Sequence, residues 1–157
     1  GCGTTFKVYL PKAVQAPSAC LADEPDEDRV YPGQGRILVM DDMEVMTTVA
    51  GDILGVLGYE VAFASHGSAA IEAYKQAKEA DQPFDAVIFD LTVPGAMGGE
   101  EACQRLLEYD PQLIAVACSG YSTANLMADY QAAGFKAVVP KPYRIKELSA
   151  VLHRLLA

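Results

Sequence analysis

From Arg36 onward, short apolar runs alternate with segments of helical periodicity, and no other feature of the chain narrows its fold so far. "RILVM" (36–40) reads as a strand by its branched residues; after it Met46, Val49, Ile53, Val56 and Leu57 recur at helical spacing as far as Gly58. "YEVAFA" (59–64) is the second strand, and Ser65 or Ser68 is placed to cap a helix carrying Ala70, Ile71, Tyr74 and Ala77 on one face. "FDAVIF" (84–89) is the third strand, followed by a helix from Gly99 to Tyr109 that buries Cys103, Leu106 and Leu107. "LIAVAC" (113–118) is the fourth, and residues 123–133 form a helix ended by Gly134. "KAVV" (136–139) is the fifth, and Ile145, Leu148, Leu152 and Leu155 line a last helix. Strands joined by helical crossovers pair in parallel, and strands apolar on both faces need helices on both sides. The expected fold is therefore α/β, a doubly wound five-stranded parallel sheet flanked by five helices. Ligands in such a fold sit beyond the carboxyl ends of the strands.

The preceding segment is different in kind. Residues 11–35 hold prolines at 11, 17, 25 and 32 and the acidic cluster "DEPDED", without apolar periodicity, which marks a linker. A formal charge of -9 argues against a nucleic-acid surface, which needs clustered Lys and Arg. No apolar run approaches the roughly 20 residues that span a bilayer, and the first residues lack a basic segment followed by an apolar one. A cytoplasmic protein without direct membrane contact is expected. Cys2, Cys20, Cys103 and Cys118 form no CxxC pair or zinc-like spacing, so Cys103 and Cys118 read as small core hydrophobes.

Chemistry-bearing residues collect where the strands end. The first strand runs into Asp41 and Asp42, and the third into Asp90, within "VIFDLTVPG". If those strands are neighbours, three acids converge, and unit charges ~4 Å apart repel by about 4 kcal/mol at an effective dielectric of about 20. Such a cluster takes up protons or binds a divalent cation, and all-oxygen ligands with room for water suit Mg²⁺. Each Asp singly reads as easily as a turn former or helix cap. Ser119 leaves the fourth strand in "ACSG" and Lys141 the fifth in "VVPKP". A hydroxyl and an ammonium can satisfy phosphoryl oxygens, and a carboxylate, Asp90, can form an acyl phosphate.

"ILVMDD", "VIFDLTVPG", "ACSG" and "VVPKP" together resemble the receiver domain of two-component response regulators, over about residues 35–157 and in order and spacing. The resemblance implies a flavodoxin-like strand order 2-1-3-4-5 and phosphoryl transfer from a phosphohistidine to Asp90. It implies Mg²⁺ held by Asp41, Asp42, Asp90 and the main-chain carbonyl of Thr92, a hydroxyl switch at Ser119, a phosphate-pairing Lys141, and a cis bond before Pro142. The implied partner is a histidine kinase dimerisation domain or a histidine phosphotransfer protein, with a homodimer also possible.

The sequence departs from the family's pattern at Met43, which separates the Asp pair from Glu44. It departs again at Val138, where a switch aromatic is expected three residues before the lysine. Tyr143 stands where the family often has Phe and reads as packing. His66 and His153 read as surface residues, which places the donor histidine on another domain. "GCGTTFKVYLP" (1–11) resembles the last glycine box and following strand of a histidine-kinase ATP-binding domain. With 12–35 as linker and 36–157 as receiver, the order suggests the C-terminal receiver of a hybrid sensor histidine kinase, whose parent chain is a transferase. Phe6, Val8 and Leu10 would share one strand face, either unstructured or docked on a partner edge. The alternatives are a degenerate receiver that only binds protein and an aspartyl-phosphate hydrolase. The hydrolase is disfavoured because Thr92 stands where that class needs a second Asp.

Overall fold

The computed structural model describes residues 29–120 and 130–157. The expected kinase remnant at 1–11 and most of the linker lie outside the described residues, as does the helix expected over 123–133 except for helical residues 130–132. The elements run β1 (Arg36–Met40), α1 (Glu44–Leu57), β2 (Glu60–Ala64), α2 (Gly67–Glu79), β3 (Ala86–Asp90), α3 (Gly99–Tyr109), β4 (Ala115–Ser119), β5 (Ala137–Pro140) and α4 (Ile145–Leu156). All strand pairings are parallel, in the order β2-β1-β3-β4-β5.

The strands are apolar on both faces because each face has its own core. Leu38, Met40, Val87, Phe89, Ala115 and Ala117 pack with Tyr74, Ala102 and Leu106 of α2 and α3. Ile37, Val39, Ala86, Ile88, Val116 and Cys118 pack with Ala50, Leu54, Leu148 and Leu152 of α1 and α4. Successive side chains of a strand point to opposite faces, and these two sets alternate accordingly. Cys103 and Cys118 are fully buried and free, one in each core. Burial pushes both thiols up to about 12.

Several local expectations are corrected. Val56 is 77% exposed, because the buried stripe of α1 runs through Ala50, Leu54 and Leu57, about a quarter-turn away. Leu107 is only half-buried, whereas Ala102, Cys103 and Leu106 carry the inner face of α3. The cap of α2 is neither Ser65 nor Ser68 but His66, whose Nδ1 accepts a hydrogen bond from the Ala69 N–H at 3.2 Å. His66 is thus a half-buried cap rather than a loose surface residue, while His153 is exposed on α4.

The end of the expected linker is tied to the domain. The Tyr31 N–H donates to Ser149 Oγ at 2.7 Å, the Gly33 N–H to the Leu57 carbonyl at 2.7 Å, and the Glu60 N–H to the Gly35 carbonyl at 2.8 Å. Gly33 lies so close to the Tyr59 ring that a Cβ there would come within 2.0 Å of it. Among the described residues no helix is long and apolar enough to cross a membrane.

Candidate functional site

The carboxyl ends of β1 and β3 bring Asp41 and Asp90 side by side, because the register pairs Met40 with Phe89 immediately before them. The next pairs across the sheet are Asp90 with Cys118 and Ser119 with Pro140, so one edge carries Asp41, Asp90, Ser119 and Lys141 in order. Asp41 and Asp90 are 2% and 5% exposed, and Ser119 is 5% exposed. The neighbouring backbone holds each carboxylate in place. The Met43 N–H donates to Asp41 Oδ1 at 2.9 Å, and the Thr92 N–H to Asp90 Oδ1 at 3.1 Å. Asp42 is exposed at the rim, and Thr92 is exposed two residues past β3.

Lys141 closes the site. Its Nζ lies 2.6 Å from Asp41 Oδ2 and 2.7 Å from Asp90 Oδ2, and its own N–H is held by the Ser119 carbonyl at 3.0 Å. Burial alone would lower the ammonium's pKa, but the hydrogen bonds and charges of Asp41 and Asp90 more than offset it and leave the pKa raised. The peptide bond between Lys141 and Pro142 is cis, as expected. Tyr143 is buried among the residues that pack α4 on the sheet. Burial, followed by the neighbouring Cys118, pushes its phenol up. Val138 is 8% exposed and belongs to the core on the α2/α3 side.

The donor set fits a hard divalent cation. Asp41, Asp42 and Asp90 each offer a carboxylate oxygen, all within 4.8 Å of one another. Asp41 Oδ2 is buried, its partner among the described residues being the Lys141 ammonium. Two buried acids on the Lys141 ammonium, with Asp42 at the rim, leave negative charge to spare, and oxygen-only ligands partly open to water match magnesium better than zinc. A shallow cavity beside the cluster, lined by Asp42, Glu44, Thr47, Phe63 and Ser65, opens to solvent.

One determinant of this geometry is not evident from the acids alone. Gly99, the first residue of α3, approaches β3 so closely that a Cβ would fall 2.4 Å from the Asp90 carbonyl oxygen and 2.8 Å from Phe89 Cβ. The Gly98-Gly99 pair was the available signal, since adjacent glycines at a helix start often mark a close backbone approach.

Comparison with known proteins agrees with this geometry. Residues 37–153 match the response regulator receiver domain family. The chain is 31% identical to the chemotaxis protein CheY of Thermotoga maritima over 121 residues, covering 76% of this chain and 96% of that protein. It is 30% identical to the aerobic respiration control sensor protein ArcB of Escherichia coli (strain K12), covering 98% of this chain but only 19% of ArcB. Among solved structures, the receiver domain of sensor histidine kinase PA1611 from Pseudomonas aeruginosa PAO1 has a magnesium ion coordinated in its active site cleft. It superposes with a TM-score of 0.68 at 23% identity, over 79% of this chain and 98% of that one. The ordered carboxylates, hydroxyl and lysine at one sheet edge and the match over most of the chain lead to one assignment: the chain belongs to the response regulator receiver domain family of two-component signalling.

Proposed function

We propose that Asp90 is the phosphoacceptor of this receiver, that Asp41, Asp42, Asp90 and the Thr92 carbonyl would hold Mg²⁺, and that Ser119 and Lys141 receive the phosphoryl oxygens. One observation carries the reading: Lys141 Nζ bridges Asp41 and Asp90 at 2.6 and 2.7 Å, at the ends of adjacent strands. A structural ion pair would need one acid. Two buried acids on one ammonium, with a third at the rim, make a site over-supplied with negative charge, which a divalent cation would offset so that an anionic phosphoryl group can enter.

The chemistry follows from the chain's own groups. The Thr92 N–H on Asp90 Oδ1 fixes the carboxylate plane, leaving Oδ2 to the lysine side. A carboxylate oxygen of Asp90 attacks phosphorus, the P–N bond of the donor phosphohistidine breaks with its electron pair going to the ring nitrogen, whose partner nitrogen carries the proton so that neutral imidazole leaves, and an acyl phosphate results. Lys141 pairs with a phosphoryl oxygen in place of a carboxylate, so its ammonium stabilises charge where it develops. Ser119, at the end of β4, donates its hydroxyl to another phosphoryl oxygen. Magnesium held by Asp41, Asp42, Asp90 and the Thr92 carbonyl would supply positive charge that offsets repulsion between the carboxylates and a charged donor. The donor is a histidine kinase dimerisation domain or a histidine phosphotransfer protein, and the 98% coverage at 30% identity to ArcB favours a hybrid-kinase context for the chain.

Incubation with acetyl phosphate and Mg²⁺, read by intact mass, tests the assignment. One added phosphate is expected, which chelation of magnesium or Asp90→Asn abolishes. An Asp90→Asn protein that still gains a single phosphate at the same rate would refute it.

A further inference from the structure

The segment just before β1 makes a contact that neither the fold nor the phosphoryl chemistry requires. Ser149 of α4 is 1% exposed, yet its hydroxyl is spent on the chain before the domain, accepting the Tyr31 N–H. One turn further on, the His153 ring stacks on Tyr31 with centroids 4.3 Å apart and planes within 6°. The Arg29 guanidinium lies 5.4 Å from the same ring's centroid. The helix therefore presents a two-point seat, a buried hydroxyl for the backbone and a flat ring for the side chain.

The other anchors of this segment lie elsewhere. Gly33 is bonded to the end of α1 and Gly35 to the start of β2, at the sheet edge opposite Asp90. The segment is thus fastened to α1 at Gly33, to β2 at Gly35 and to α4 at Tyr31. A shift of α4 against the sheet would be felt at Tyr31. The other end of α4 is tied to the phosphoryl site, because Lys141, four residues before Ile145, is held by Asp41 and Asp90. When a phosphoryl group enters, Lys141 must exchange a carboxylate for a phosphoryl oxygen. On β5, the position three residues before Lys141 is the buried aliphatic Val138, which has no ring to rotate.

We propose that the Tyr31 clasp on Ser149 and His153 couples the segment that leads into β1 to the state of the Asp90 site. This rests on Asp90 being the phosphoacceptor. Linkage makes the coupling reciprocal: if site occupancy loosens or tightens the clasp, loosening the clasp changes occupancy.

The test uses the 157-residue chain with Mg²⁺ and beryllofluoride as the phosphoryl mimic. Its readouts are the His153 ring-proton resonances, which the stacked Tyr31 ring displaces, the hydrogen exchange of the Tyr31 amide, and the amide resonances of Thr92 and Lys141. Beryllofluoride is expected to move all of them, changing the Tyr31 exchange rate by about fivefold or more. Tyr31→Ala should change the apparent beryllofluoride affinity by a similar factor, and Tyr31→Phe, which keeps the stack, should not. An unchanged thermal midpoint in Tyr31→Ala makes that comparison a clean one, and His153→Leu, which removes the ring from the other side, repeats it if the midpoint falls. If Thr92 and Lys141 respond while His153 and Tyr31 do not, the clasp proposal is overturned and the phosphoacceptor assignment stands. If no resonance responds, the phosphoacceptor assignment itself has failed and the clasp with it.

Discussion

Replacing Lys141 with methionine removes the cation that, among the described residues, faces two buried acids. The oxygens of Asp41, Asp42 and Asp90 lie within 4.8 Å of one another. At that separation two unit charges repel by about 3.5 kcal/mol at an effective dielectric of about 20, and breaking a buried pair by deleting one partner typically costs about 3 to 5 kcal/mol. A domain of this size shifts its midpoint by about 3 to 5 °C for each kcal/mol, so metal-free Lys141→Met at neutral pH should melt roughly 10 to 20 °C lower. Two further outcomes separate this mechanism from a simple packing loss. Magnesium should raise the midpoint of Lys141→Met by more than it raises that of the unmodified chain, since no ammonium then competes for the carboxylates. Asp90→Asn added to Lys141→Met should recover part of the lost midpoint, because it removes one of the mutually repelling charges. The assay is thermal unfolding followed by circular dichroism, with chelator or with magnesium in excess. A midpoint within about 3 °C of the unmodified chain, or a magnesium response no larger than that of the unmodified chain, would refute the reasoning.

Other expectations follow from single contacts. Gly99→Ala places a methyl group 2.4 Å from the Asp90 carbonyl; it should destabilise by about 1 to 3 kcal/mol, measured by urea unfolding, and slow phosphoryl uptake at Asp90. Asp110 is held below its ordinary pKa, first by the hydrogen bond from Lys78 and then by that from Tyr74, against the opposing effect of burial. Its contribution is complete above the unfolded value of 3.8 and is lost as pH falls through the lowered folded value. Asp110→Asn should therefore cost stability at neutral pH and lose less between about pH 4 and 2, seen in midpoint against pH. Cys103 and Cys118, buried and with thiols pushed up to about 12, should resist alkylation at pH 8 in the folded chain and react only in denaturant, read by peptide mass mapping.

Much of the fold was legible because two periods are written into the chain. The doubly apolar strands demanded two helical layers, and the alternation demanded parallel pairing, as the two cores around Val87 and Ile88 bear out. Met40 and Phe89 lie in register, so placing an acid after each strand also brought the acids together. What the pattern could not show was set by tertiary contacts. Val56 fits an apolar list but falls off the stripe that faces the sheet. His66 caps α2 because the turn aims its Nδ1 at the Ala69 N–H, which no residue preference would single out over two nearby serines. The tie between Tyr31 and α4 was hidden inside a proline-bearing segment whose composition reads as linker. Gly99 was visible as a helix start but not as the residue that lets α3 pass over the Asp90 carbonyl.

The most direct measurement traps the acyl phosphate chemically. After reaction with acetyl phosphate and Mg²⁺, borohydride reduces an aspartyl phosphate to homoserine, and peptide mass spectrometry locates the changed residue. The account predicts homoserine at position 90, with Asp41 and Asp42 unaltered and no conversion when magnesium is chelated. Homoserine at position 41 or 42, or a phosphate that resists reduction because it sits on a hydroxyl or histidine, would contradict it.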